Sequence, residues 1–344
     1  MTAASIDPSA PRLLDQVREV IRIRHYSIRT EQAYLQWIRR FILFHGKRHP
    51  RNMGAPELTA FLSHLAIQRN VAAATQNQAL NAILFLYRDV LKITLPWLND
   101  VQRAKKPQHL PVVFTRDEVK GLLGQLQGTV WLMAALTYGG GLRLLECLRL
   151  RVKDVEFHYK QLIVRDAKGQ KGRVTILPNL LIEPLRTHLA RIRELHEADL
   201  REGFGRVYLP HALAAKYPNA DREWGWQYVF PSSRRSVDPR SGIERRHHAP
   251  EDSLQRAIKQ AIRKASIVKP GSVHTLRHSF ARICSNPDTT SGQLPLHRIC
   301  APTAFALPCA SQELLGHADV KTTMIYTHVL NRGGRGVVSP ADMH

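Results

Sequence analysis

Cysteine is scarce and unpatterned. The four present, Cys147, Cys284, Cys300 and Cys309, form no Cys-x-x-Cys pair. That disfavours a structural zinc site and a disulfide framework, and no metal or cofactor is expected. Long apolar runs are also missing. No stretch reaches the roughly 18 residues that a membrane-spanning helix needs, so no membrane partner is expected. The N-terminus, MTAASIDPSAPRLLDQ, lacks the basic segment followed by an apolar one that marks a secretory leader. Acid is the third shortage: 28 Asp and Glu stand against 50 Lys and Arg, a formal net charge of +22. Hydrophobic residues make up 44% of the chain, ample for folded cores, so the excess is not that of a disordered basic tail. These absences together point to folded domains that bind a polyanion, and to a cytoplasmic nucleic-acid-binding protein.

A length of 344 residues suggests two domains. The first hundred read as helices. Leu13 to Ile23 is amphipathic, and Ser27 and Thr30 offer hydroxyl caps to a second helix with Tyr34, Trp37, Ile38, Phe41 and Phe44 on one stripe. Ala55-Pro56-Glu57 opens a third helix running to about Gln68, with proline in its first turn. Thr75 is placed to cap a fourth, whose apolar positions include Leu80, Ile83, Tyr87 and Leu91. Residues 101–111, basic and bounded by proline, read as a linker carrying Lys105 and Lys106. Beyond it, Thr115 and Glu118 form a capping box for a helix through Leu126, and a buried helix over Trp131 to Thr137 ends at Gly139-Gly-Gly141. Two strands, 161–165 and 173–177, flank a glycine-rich turn as a hairpin. Helices follow over 180–196 and 253–265, and a short one begins near Val273. The expected fold is mainly α with a small β-hairpin, an α+β chain behind an all-α N-terminal domain.

Four local patterns carry possible chemistry. Gly141-Leu-Arg143-Leu-Leu-Glu146 is a glycine turn opening a helix, with Arg and Glu three apart on one face, the spacing of an ordinary surface ion pair. Lys168 sits in the hairpin turn beside glycine. His274-Thr-Leu-Arg277-His278 puts three basic side chains on one helical face. Its histidines have zinc-pair spacing, but Thr275 stands where the glutamate of such a motif belongs, so metal is discounted. Leu315-Gly-His317 is followed nine residues later by Tyr326.

In this order the patterns resemble the tyrosine recombinases of phage-integrase type, over about residues 12–335. The resemblance implies a SAM-like core-binding domain that clamps DNA over 12–100, the linker 101–111, and a catalytic domain over 112–335. It places the catalytic residues at Arg143, Lys168, His274, Arg277, His317 and Tyr326, with Glu146 as an orienter. It also implies DNA as the partner and a homotetramer assembled on it. An extra segment at about 203–250, rich in Trp, Pro, Arg and His, is similar to the addition found in integron integrases, which capture gene cassettes. Unpaired bases of a folded single-stranded hairpin need flat surfaces to stack on and cations for their phosphates. By motif position Trp226, Pro239 and His248 match the residues that grip such bases, with Arg245 and Arg246 beside them for DNA. Core anchoring is the alternative for Trp226, and the stronger reading for Trp224 and Phe230.

The stretch 281–311 departs from the pattern. The resemblance implies one helix after Arg277, a short turn and a second helix carrying Leu-Gly-His. The chain instead holds Pro287, Pro295, Pro302 and Pro308 there, each costing about 3 kcal/mol inside a helix. Either a loop has been inserted between two docked helices, or a coding segment is read out of frame and then restored. The second accounts for the replacement of core helix as well as surface, and leaves a DNA-binding but recombination-defective remnant as the alternative to an active recombinase. Sequencing the gene separates the two: a frame-shifted segment, read in another frame across 281–311, is expected to encode a proline-free helix joined to Leu-Gly-His.

Overall fold

The computed structural model describes residues 12–93, 104, 110–165, 172–209 and 213–284. The chain divides into two compact units, residues 1–109 and 110–344.

Among its described residues the first unit holds four α-helices: α1 (Leu13–Ile23), α2 (Ile28–Phe44), α3 (Ala55–Ser63) and α4 (Ala73–Phe85). Ser27 caps α2, its hydroxyl accepting from the Thr30 amide. Helices α3 and α4 each run on into a π-turn, His64–Gln68 and Leu86–Val90, so the expected helix lengths are reached with a widened last turn. Thr75 does not cap α4. That helix opens two residues earlier at Ala73, from an Ala72 cap without a side-chain bond, and the alanine run accounts for the early start. Trp37, Ile38 and Phe41 enter the core with Leu58, Phe61, Ile83 and Tyr87. Phe44, at the end of the stripe, stays 40% exposed and packs edgewise on His45 and at a tilt on Phe61. The buried Tyr87 hydroxyl donates to the Pro50 or Met53 carbonyl, at 3.0 and 3.1 Å.

The second unit opens with α5 (Arg116–Gly124), whose Thr115–Glu118 capping box is present and which stops two residues short of Leu126. Next come α6 (Gly128–Gly139) and the short α7 (Leu144–Leu148). The expected hairpin gains a third strand: β1 (Val155–Glu156), β2 (Gln161–Val164) and β3 (Arg173–Ile176) form an antiparallel sheet in that order. In register, Val164 faces Arg173 and Leu162 faces Thr175. Because side chains alternate along a strand, Arg173 and Thr175 share the inner face of β3, and Val174 is exposed. Then follow α8 (Ile182–Arg201), α9 (Leu213–Lys216), a two-stranded hairpin of β4 (Ser236–Val237) and β5 (Glu244–Arg245), α10 (Glu251–Lys264) and α11 (Val273–Cys284). Leu132, Leu136, Leu142, Leu148, Leu254 and Ile258 build the main core, which also takes in Leu276 of α11.

One glycine fixes how α6 hands over to α7. Gly141 has φ +60°, and a Cβ there would lie 2.5 Å from the ring of Phe280, itself fully buried. The left-handed backbone and the blocked space act together. Gly141→Ala is expected to lower stability by roughly 3 kcal/mol, a fall in melting temperature of about 6–12 °C by calorimetry.

Candidate active site

Arg143 stands at the N-cap of α7, where its backbone amide needs an acceptor. Glu146, one turn on, supplies it: a carboxylate oxygen accepts from the Arg143 amide at 2.8 Å and the other from its guanidinium at 2.6 Å. This is the i, i+3 pair seen in the sequence, but it is no surface bridge. The Glu146 side chain is only 7% exposed. Arg173, from the inner face of β3, lays its guanidinium fork on the same carboxylate with bonds of 2.9 and 2.6 Å. Arg277 of α11 approaches to 3.6 Å and donates to the Gly141 carbonyl. One buried carboxylate thus gathers three arginines from three elements.

The electrostatics follow from that count. Burial pushes the Glu146 carboxyl upward, but the hydrogen bonds and charge of Arg173, then Arg143, outweigh it and bring the pKa down to about 2. Three guanidinium groups against one carboxylate leave a local charge of +2, held beneath the protein surface where water screens it poorly. Such a place suits an oxyanion. Arginine forks match two oxygens of a phosphate group and stay charged at any physiological pH.

Of the residues proposed from sequence, the structure brings Arg143, Glu146 and Arg277 together. His274 lies on α11 one turn before Arg277 and is exposed. Beside it, the His278 imidazole is pushed down to about 4 by burial and then by His274 and Arg277. Lys168, His317, Tyr326, Lys105 and Lys106 lie outside the described residues, as does most of 281–311. Arg173 was missed by sequence reasoning. A strand-opening arginine looks like a solvated end residue, and the only signal was alternation, which pairs it with Thr175.

The insertion is folded. Val207, Leu209, Ala220 and Tyr228 form a small core on which Trp226 packs partly buried, with Arg151 and Lys153 over its ring. Phe230 is fully buried and Trp224 packs on the main core, as their anchoring reading has it. Pro239 is exposed in the β4–β5 turn, and His248 pairs with Pro231 beside the Tyr228 ring. Arg245 and Arg246 are committed internally. Arg245 binds Asp238 at 2.8 Å. Arg246 grips Asp199 of α8 at 2.5 and 2.7 Å and donates to the Ser232 and Ser233 carbonyls. That bonding ties the insertion to α8 and leaves these two arginines a holding role in the structure. In the first unit, a cleft of about 600 Å³ between α2 and α4 is lined by Arg29, Thr30, Asn77, Gln78 and Asn81. Among the described residues no cluster of three metal-ligating side chains occurs, and no helix is long and apolar enough to cross a membrane.

Removing the Glu146 charge tests the cluster. Its folded pKa lies below the usual 4.5, so its stabilisation is complete above that pH and is lost as pH falls toward 2. Glu146→Gln is expected to cost about 3 kcal/mol at neutral pH, because three arginines lose their shared counter-charge. Denaturant titrations from pH 7 to pH 2 are expected to show the stability gap between the parent chain and the variant closing as pH falls toward 2.

Comparison with known proteins agrees with this arrangement. Residues 13–97 match the N-terminal SAM-like domain of phage integrases, and residues 113–288 match the phage integrase family. Proteins described as integrase/recombinase from Escherichia coli and Pseudomonas aeruginosa are each 48% identical over 333 residues, covering 96% of this chain and 93% of theirs. Among solved structures, a lambda integrase dimer bound to a core site is similar in fold. Its TM-score is 0.58 at 15% identity, covering 94% of this chain and 97% of that one. The chain belongs to the phage integrase family, the tyrosine recombinases, whose members transfer DNA strands.

Proposed function

We propose that this recombinase is of the integron type, integrating or excising gene cassettes through a 3′-phosphotyrosyl intermediate. The observation that carries the chemistry is the seating of Arg143 and Arg277 about one buried carboxylate. In this reading the two guanidinium groups bind the non-bridging oxygens of the scissile phosphate and stabilise the charge that builds there. The Tyr326 phenol oxygen attacks phosphorus, forming the phosphotyrosine bond as the bond to the 5′-oxygen breaks. His274 and His317 accept or steer the phenolic proton, and Lys168 protonates the departing 5′-oxygen. Because one ester replaces another, rejoining reverses the step without ATP. Arginine charge serves where other enzymes use a metal ion, so the reaction is metal-independent.

DNA as partner is supported by the net charge of +22 and by relatives of the same fold solved on DNA. Arg29, Asn77, Gln78 and Asn81 bring to the first unit the side chains that read base edges and phosphates. Lys105 and Lys106 add phosphate contacts from the linker. The integron assignment rests on the insertion, where Trp226 offers a partly buried ring, Pro239 an exposed flat surface, and His248 a polar edge. Strand exchange between two sites calls for four protomers, assembled on DNA in the cytoplasm.

A nicked suicide substrate, which traps the covalent complex, tests the reading. A folded bottom-strand hairpin is expected to give more adduct than a plain duplex, and Tyr326→Phe to give none. Binding without adduct would identify a remnant instead. Equal adduct on both substrates would remove the integron assignment. Affinity for either DNA is expected to fall steeply between 50 and 200 mM salt, by on the order of a thousandfold.

A further inference from the structure

The strand β3 does more than complete a sheet. Its inner face carries two polar residues where an apolar pair would be ordinary, and each is fully engaged with the arginine site. The Thr175 hydroxyl donates to the Gly140 carbonyl at 2.8 Å, next to the Gly141 carbonyl that receives Arg277. The Arg173 fork holds both oxygens of Glu146, the residue that binds Arg143 through backbone and side chain. The Arg173 and Glu146 side chains are 6% and 7% exposed. Burying such a pair is costly and gains little stability over an apolar pair of similar volume. Holding a geometry is a better reason for it.

We propose that Arg173 is a positioning residue for strand transfer: by fixing the Glu146 carboxylate from β3, it sets Arg143 and Arg277 in place for a phosphate before DNA arrives. Two effects follow from its removal. The local charge drops from +2 to +1, weakening attraction for a phosphodiester. The carboxylate, short of its fork, draws the other two guanidinium groups inward to replace the lost bonds, and their aim is lost. Lysine restores the first effect but not the second, since an ammonium is a point charge without a planar fork.

The inference rests on the reading of Arg143 and Arg277 as the phosphate cradle, and the experiment separates the two. Orthovanadate, a phosphate analogue, is titrated calorimetrically into the DNA-free full chain and into Arg143→Met, Arg277→Met, Arg173→Met and Arg173→Lys, with circular dichroism verifying that each is folded. Arg173→Met is expected to weaken binding about tenfold, with Arg173→Lys recovering less than half of that loss. In a Glu146→Gln background the Arg173→Met substitution is expected to cost at most about twofold, because its route of action is already gone. Parent-like binding by Arg173→Met, full recovery by Arg173→Lys, or an undiminished loss in the Gln background would each overturn the proposal. Parent-like binding by Arg143→Met and Arg277→Met, or no binding by the parent chain, would instead overturn the cradle itself and the inference with it. Should Arg173→Met fail to fold, Arg173→Lys decides: binding equal to the parent overturns the proposal, and a loss of threefold or more upholds it.

Discussion

A single carboxylate organises the described part of the candidate active site. Arginines repel one another, and three of them within reach of one point would scatter into solvent without a counter-charge. Glu146 prevents that. It is anchored first by its own chain, since it caps the helix that Arg143 opens, and then by a strand, since Arg173 arrives from β3. Arg277 is held by a backbone carbonyl that exists in that position only because Gly141 takes a left-handed conformation against Phe280. Helix cap, strand face and glycine turn therefore converge on one charge. The result is positive potential of fixed geometry, which is what stabilising a phosphorane requires.

The insertion uses the same device. Asp199, buried near the end of α8, receives the Arg246 fork and a longer bond from Arg235. Its carboxyl is pushed up by burial and pulled further down by Arg246, so it stays ionised. Arg151 completes the attachment from the other side, donating to the Trp226 and Tyr208 carbonyls. In a chain with so few acids, each buried carboxylate is a fixed point around which arginines are sorted. Some guanidinium groups then hold the fold, and others remain to meet phosphates.

Much of this was legible in the sequence. Helical periodicity gave the four helices of the first unit, and hydroxyl caps at Ser27 and Thr115 marked two starts. The Arg143–Glu146 spacing and the Arg277 motif named residues that do meet. What stayed hidden depends on contacts distant in sequence. Nothing local distinguishes a surface i, i+3 pair from a buried one, and Glu146 is buried because Arg173 and Arg277 come to it from 27 and 131 residues away. The internal pairing of Arg245 and Arg246 was likewise hidden, because their partners, Asp238 and Asp199, are not adjacent in the chain. Thr75 misled for a different reason. A capping hydroxyl is one option for a helix start, and an alanine run upstream was a better one.

The position of the irregular stretch takes on meaning from this geometry. Among the described residues the arginines around Glu146 lie at 143, 173 and 277, and the turn that receives Arg277 is closed by Phe280. Among the described residues the arginine cluster therefore lies within residues 141–280. The family match runs to residue 288, just inside the departure that begins at 281. The proposed nucleophile Tyr326 and the proposed His317 lie beyond it in the sequence. In the proposed reading the two halves of the chemistry, holding a phosphate and attacking it, are therefore separated in the sequence by the departure itself. In that reading a change confined to 281–311 bears on the delivery of the phenol and not on the residues that make up the arginine cluster. Capacity to bind a phosphate and capacity to cut beside it are, on the proposed roles, set by different stretches of this sequence.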